Sequence, residues 1–206
     1  MPTTFSGKDE TERDSSDMFG AHCPVLVTER LVLRAPHRDD VETMAELANN
    51  PAIAAMLTRM PHPYGRHDAR SFVERAANPE PGKCTYAMTL GDTGAFIGCC
   101  GIEPQEDPAG LKLGYWVGQP YWGHGYASEA AQAVIDMAFR TRAIDHVDAG
   151  CRVINQRSRR VIEKCGFRYR AHDVLFSRAS GKPITMEEYR LDRERWLSLK
   201  TATAAS

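Results

Sequence analysis

One stretch constrains this chain more than any other. Gly114-Tyr115-Trp116-Val117-Gly118-Gln119-Pro120-Tyr121-Trp122-Gly123-His124-Gly125-Tyr126-Ala127 carries a strand through a turn with two nearby glycines into a long helix. Ala127, Ala130, Ala131, Val134, Ile135, Ala138 and Phe139 keep the 3.6-residue period of that helix. A helix start leaves backbone N–H groups unpaired, and with the helix dipole they concentrate positive potential. Glycine adds close approach and freedom in φ, so the turn can cradle a phosphate or pyrophosphate. On the glycines alone, a tight turn without ligand is hard to reject. Two familiar phosphate loops do not fit. The dinucleotide fingerprint needs a third glycine where this chain has Ser128, and a Walker loop needs a Gly-Lys-Ser/Thr that is absent.

The rest of the pattern reads as one mixed α/β layer structure. Residues 26–34 read as a strand. Asp39 or Asp40 reads as the N-cap of a helix with Val41, Met44, Ala45 and Ala48 on one face, stopped at Asn49-Asn50-Pro51. After the proline-locked run Met60 to Gly65, a second helix presents Ala69, Phe72, Val73 and Ala76. Strands follow at 84–90 and 95–102, joined by Gly91-Asp92-Thr93-Gly94, then at 111–117. Beyond the long helix come a strand at 146–153 and a short helix at 155–165 with Gly166 as its C′ residue. Two last strands occupy 167–177 and 184–196.

Length suits a single domain over residues 24–200, with a disordered leader at 1–23 and a frayed tail at 201–206. A formal net charge of -1 leaves no bulk electrostatic footprint for nucleic acid. No apolar run approaches the roughly 18–20 residues of a bilayer span, so no membrane partner is expected. Cys23, Cys84, Cys99, Cys100, Cys151 and Cys165 form no C-x-x-C pair and read as reduced core residues of a cytoplasmic protein. The histidines never fall at ligand intervals, so no metal is expected.

A second segment makes the first specific. Asn155-Gln156-Arg157-Ser158-Arg159-Arg160-Val161-Ile162-Glu163-Lys164-Cys165-Gly166-Phe167 follows the strand at 146–153. Taken alone, Asn155 is an N-cap, Ser158 a first-turn polar residue and Lys164 a charge that complements the dipole. Beside it, Trp122-Gly123-His124-Gly125-Tyr126-Ala127 resembles the coenzyme A pyrophosphate loop of the GNAT N-acyltransferase superfamily. The second segment resembles that family's Asn-x-x-Ser…Glu-Lys-x-Gly-Phe run. The flanking Gly-Tyr-Trp and Pro-Tyr-Trp, and Ser128-Glu129-Ala130 after the loop, resemble the RimJ/RimL-type branch, which acetylates ribosomal-protein N-termini. Trp122 stands where the superfamily usually has Gln or Arg, a replacement familiar in that branch.

The resemblance covers roughly residues 26–196. It implies a GNAT-like α+β (mixed α/β) fold, with a mostly antiparallel sheet of about seven strands flanked by about four helices. It also implies acetyl-coenzyme A as co-substrate and direct transfer to an amine, either a protein N-terminus or a small molecule. A homodimer is the family expectation. The strands at 111–117 and 146–153 should splay, with a bulge in the first freeing backbone groups. The N–H of Trp116 or Val117 would polarise the thioester carbonyl. Trp122, Gly123, His124, Gly125, Tyr126 and Ala127 would hold the pyrophosphate, and Asn155 the pantetheine amides. Ser158 would protonate the leaving thiolate. Glu103 is the candidate base, with an exposed loop carboxylate as its equal alternative. Many branch members carry a second Glu where this chain has Lys112.

Arg157, Arg159, Arg160 and Lys164 read either as ribose-phosphate contacts or as a solvated basic face. His62, Tyr64 and His124 are candidates for the acceptor side, with core or rim roles as alternatives. A nucleophilic Cys99 or Cys100 lacks a histidine at a recognisable spacing. The rival function is a non-catalytic acyl-coenzyme A binding module, and a nucleotide-phosphate binder is a third.

Overall fold

A computed structural model describes residues 23–204 of the chain. The elements run β1 (Leu26–Val27), β2 (Leu31–Arg34), α1 (Val41–Ala48), α2 (Pro51–Ala54), α3 (Arg66–Ala77), β3 (Cys84–Leu90), β4 (Phe96–Pro104) and β5 (Gly110–Val117). Then follow α4 (Tyr126–Thr141), β6 (His146–Arg152), α5 (Gln156–Lys164), β7 (Arg168–Ser177), β8 (Lys182–Asp192) and α6 (Arg193–Ala204). The strands make one eight-stranded sheet in the order β1-β2-β3-β4-β5-β6-β8-β7. Every neighbouring pair is antiparallel except β5 with β6. Crossing from β5 to β6 in parallel requires a long connection, and α4 supplies it.

Side chains alternate across the strands, so the sheet has two apolar faces. One buries Tyr86, Ile97, Ile102, Leu111 and Leu113 against Ala130, Val134, Ile135 and Phe139 of α4 and Ile162 of α5. The other packs Ala87, Phe96 and Cys99 under Val41, Met44 and Ala48 of α1 and Ala69 and Val73 of α3. The helices of the second face therefore cover the first half of the sheet.

Most expected elements are present, with four differences. The strand expected at 26–34 is a tight hairpin. Thr28 N donates to Leu31 O (2.9 Å) and Leu31 N donates to Thr28 Oγ1 (3.0 Å), closing a turn between β1 and β2. Asp40 holds the expected N-cap position of α1 but makes no side-chain capping bond, because its carboxylate is taken by Arg34 (2.7 and 2.8 Å) and by His37 N (2.7 Å). The last strand ends at Asp192. Trp196 lies in α6, stacks on Phe139 at 5.1 Å and donates to Asp136 Oδ1 (2.8 Å), pinning that helix to α4. Helix α6 also carries the expected tail on to Ala204. Of the expected leader, residues 1–22 lie outside the described residues.

The fourth difference concerns cysteine. Cys99, Cys100, Cys151 and Cys165 are buried free thiols as expected, but Cys23 is disulfide-bonded to Cys84, with a Cα–Cα distance of 5.6 Å. The bond ties the start of the described chain to β3 across 61 residues, a separation no spacing rule reaches. Among the described residues no helix is long and apolar enough to cross a membrane, and no three His, Cys, Asp or Glu gather as metal ligands.

Asp40 is 4% exposed. Burial alone pushes its carboxyl up, but hydrogen bonds from Arg34 and His37 outweigh that and hold it below the ordinary carboxylate value. Its contribution is therefore complete above the unfolded pKa and is lost as pH falls through the lower folded value. We expect Asp40→Asn to cost roughly 2–3 kcal/mol at neutral pH, less than a fully buried pair because Arg34 is part-exposed. In urea denaturation the gap from wild type should shrink below about pH 4.

Candidate functional site

The site begins where two strands part. β5 and β6 pair from Gly110↔His146 to Leu113↔Ala149 and no further, although β5 runs to Val117 and β6 to Arg152. β6 keeps its other edge on β8 throughout, from His146↔Asp192 to Arg152↔Met186. A wedge therefore opens beyond Leu113, with Gly114 exposed at its mouth.

Antiparallel pairing decides which amides face the wedge. Gly118 N donates to Ile97 O (2.8 Å). Because bonded and non-bonded pairs alternate, Trp116 N–H points to Cys99 on β4 while those of Tyr115 and Val117 point into the wedge. The two candidates thereby separate, since the Trp116 amide is spent on the sheet. The bulge expected in β5 is absent: its register with β4 is unbroken from Leu111↔Pro104 to Val117↔Gly98. Loss of a neighbouring strand, not an extra residue, frees these groups.

The turn after β5 then presents more donors. Gly123 and Gly125 each have φ +84°, the left-handed region that glycine enters without strain. Gly125 is the N-cap of α4, and no side chain caps the helix there. Residues 123–125 are exposed, and a Cβ built on Gly123 would meet nothing within 4 Å. An uncapped 16-residue helix thus starts at the edge of the wedge. That arrangement fits a diphosphate whose attached chain runs along β5.

Side chains hold the turn in place. Trp122 Nε1 donates to Val117 O (2.7 Å), and the Arg157 guanidinium lies 4.8 Å from the Trp122 ring centre. The indole thus closes the turn back onto β5 and occupies the Val117 carbonyl, leaving its N–H as the group on offer. Arg30 Nη1 donates to His124 O (2.9 Å), its guanidinium lies 4.9 Å from the Tyr126 ring centre, and it pairs with Glu129 (2.6 Å). Glu129 also accepts from Thr28 Oγ1 (2.6 Å) and Arg30 N (2.8 Å). Burial would raise its carboxyl, yet these bonds hold it below the ordinary value. The His124 ring itself stacks on Tyr126 at 5.6 Å. Nothing local in the sequence marks Arg30 as a clamp on this turn, because its partners lie 94 and 99 residues away.

The opposite wall comes from α5. Asn155 Oδ1 accepts from Ser158 N (3.1 Å), so its carbonyl serves as the N-cap. Ser158 Oγ and Tyr115 Oη are 2.8 Å apart, a hydrogen bond between α5 and β5. Burial pushes the Tyr115 phenol far above its ordinary value, with the Ser158 bond only partly opposing it, so the phenol keeps its proton. At the far end of α5, Gly166 N donates to Glu163 O (2.9 Å) and Phe167 N to Ile162 O (3.3 Å). Those two bonds make the Schellman ending the Gly166 position suggests. Arg159 is committed to Glu187 (2.7 and 2.8 Å) and Val153 O, whereas Arg160 and Lys164 are exposed.

Other candidates fall elsewhere. Glu103 pairs with Arg59 (2.7 Å) and Lys83 (3.4 Å). Burial would raise it, but both cations outweigh that and hold it below the usual carboxylate range, which makes a weak base. Tyr64 is 7% exposed and sits in the core over Met44, while His62 is a surface residue. Burial pushes the Cys99 and Cys100 thiols up, so neither supplies a thiolate.

Comparison with known proteins bears on the family and the fold. The acetyltransferase (GNAT) domain profile matches residues 30–168. YkkB of Bacillus subtilis is 33% identical over 149 residues, covering 70% of this chain and 85% of that protein. An acetyltransferase of the GNAT family from Bacillus anthracis superposes with a TM-score of 0.74 at 22% identity, over 83% of this chain and 99% of that one. RimL, a ribosomal L7/L12 alpha-N-protein acetyltransferase solved with coenzyme A, gives a TM-score of 0.70 at 20% identity, over 82% and 98%. At those identities the two structures share the fold.

A valine at position 125 would be held at φ +84° with its Cβ 3.4 Å from Arg30 Nη2. Strain of about 1–3 kcal/mol would move the turn rather than unfold an exposed loop. We expect Gly125→Val to weaken acetyl-coenzyme A binding by at least about tenfold in calorimetry. The melting temperature should fall by no more than about 10 °C, at roughly 2–4 °C per kcal/mol. Unchanged affinity would contradict the assignment of the loop.

Proposed function

The chain belongs to the GNAT acetyltransferase family and is an acetyl-coenzyme A-dependent acetyltransferase, and from that premise we propose that it acetylates a primary amine directly. The observation that carries this reading is the wedge between β5 and β6. One wall offers backbone N–H groups and the other a hydroxyl, with an uncapped helix start at its end.

In this reading the first-turn amides around Gly123, Gly125 and Ala127 bind the diphosphate. The inward N–H groups of Tyr115 and Val117 bind the acyl-pantetheine arm. One of them meets the charge that develops on the thioester oxygen, worth about 3 kcal/mol per donor. Asn155 keeps its amide N–H₂ for the pantetheine, since only its carbonyl is used in the cap. The acceptor nitrogen must lose a proton before attack, because ammonium has no lone pair. As the C–S bond breaks, Ser158 donates a hydrogen bond to the sulfur, with its hydroxyl held in place by the protonated Tyr115 phenol 2.8 Å away. A hydroxyl of ordinary acidity becomes useful when a second donor backs it.

The acceptor is an amine of a protein N-terminus or of a small molecule. RimL's named substrate, the ribosomal L7/L12 α-amine, supports the first, and the opening above Gly114 suits either. Cytoplasmic residence and a homodimer belong to the same reading and rest on the family resemblance, the Cys23–Cys84 disulfide having removed the argument from reduced cysteines.

The test is loss of thioester from labelled acetyl-coenzyme A against a mixed library of amines and free-amine peptides. Acceptor-dependent loss supports a transferase. Tight binding with no acceptor-dependent loss favours a binding module instead. In the active pairing, Ser158→Ala should lower kcat by about 10–100-fold while KM for acetyl-coenzyme A moves less than about twofold. An unchanged kcat would take Ser158 out of the chemistry.

A further inference from the structure

With Glu103 bound to two cations, the reaction needs another base, and the Glu188 carboxylate stands beside the wedge. Position 150 on β6 is one rung past the last β5–β6 pair, Leu113↔Ala149, and its partner across β8 is Glu188. Position 150 is glycine, and Glu188 uses the room this leaves. A Cβ built there would stand 2.6 Å from Glu188 Oε1 and 3.0 Å from Oε2, so the carboxyl group lies directly over the Gly150 backbone. That puts it on the β6 wall of the wedge, facing β5 where the two strands have parted. Gly114 itself is exposed, and a Cβ there would meet nothing within 4 Å, so the wedge is open from this face.

The carboxylate is held but not consumed. Lys112 Nζ donates to Oε2 (3.1 Å), while Oε1 is buried without a hydrogen-bond partner among the described residues. A buried carboxylate oxygen in that state is costly, and a swing of the Glu188 side chain that brings it to a cationic N–H donor in the wedge would relieve the cost. Of the other charges on this face, Asp148 is paired with Arg190 (2.7 Å) and Glu103 with Arg59, while Arg152 donates to Ala55 O and its buried Nε has no hydrogen-bond partner among the described residues.

We propose that Glu188 is the general base of the reaction, oriented by Lys112 through Oε2 and taking the acceptor's proton on Oε1. This rests on the amine acetyltransferase reading above. In the step, the ammonium N–H bond breaks and its proton passes to Glu188, leaving the nitrogen lone pair free. That pair forms the C–N bond to the acetyl carbon as the C–S bond breaks. The second proton lost by nitrogen balances the one gained by sulfur. Glu188 then releases its proton to water, so the net products are amide, free thiol and one proton.

The experiment compares acceptors that do and do not need a base. Spermidine and an alanine-initiated peptide carry ammonium groups at pH 7, whereas benzhydrazide presents a neutral nucleophilic nitrogen. In Glu188→Gln, kcat on the ammonium acceptors should fall about 100-fold, with their KM, acetyl-coenzyme A affinity and the hydrazide rate within about threefold of wild type. Formate should restore part of the rate to Glu188→Ala. Full activity of Glu188→Gln, a change confined to KM, or an equal loss with the hydrazide would each overturn the assignment. Should Glu188→Gln not fold, Gly150→Ala keeps the glutamate but displaces its carboxyl, and wild-type rates on spermidine and the peptide would overturn it equally. Wild-type protein that transfers to none of these acceptors overturns the proposed reaction, and Glu188's role with it. Amine-dependent transfer that ignores Glu188 overturns only the role.

Discussion

Two parallel strands that share only four rungs organise the whole functional face of this molecule. β5 leaves β6 after Leu113 while β6 remains zipped to β8 on its other edge, and a strand edge without a neighbour carries unpaired amides. Those of Tyr115 and Val117 turn inward. The chain then has to reverse into α4, and the turn that does so exposes a second set of amides within a few residues. Two groups of backbone donors are thereby lined up along one path. A ligand with a polar arm and a diphosphate end satisfies both.

The rest of the structure works to keep that path rigid. Trp122 ties the turn to the Val117 carbonyl, and Arg30 and Glu129 tie it to the β1–β2 hairpin. Ser158 and Tyr115 join the two walls. Position 122 shows how local replacements are absorbed. An indole N–H bonds to a strand carbonyl, while its ring carries the Arg157 cation. On the opposite face, Gly150 and Lys112 together set the attitude of Glu188.

Much of this was legible in the sequence because the chemistry is local. Apolar periodicity marked α4 over several turns, Gly123 and Gly125 marked the turn, and Asn155 with Gly166 marked both ends of α5. Each of those signals depends on neighbours within a few residues. What escaped depends on contacts that only the sheet order creates. The Cys23–Cys84 bond, the Arg30–Glu129 pair and the approach of Glu188 to Gly150 join segments 61, 99 and 38 residues apart. Trp196 looked like a strand residue until packing on Phe139 placed it in a helix. Glu103 lay at the expected strand end, yet only the fold revealed Arg59 and Lys83 beside it.

Chemical-shift mapping of backbone amides during titration with coenzyme A tests the main-chain grip most directly. The N–H resonances of Gly123, His124, Gly125, Tyr126 and Ala127 should move furthest and saturate together. Tight binding that leaves those five resonances in place would contradict it, because the diphosphate would then be held somewhere else.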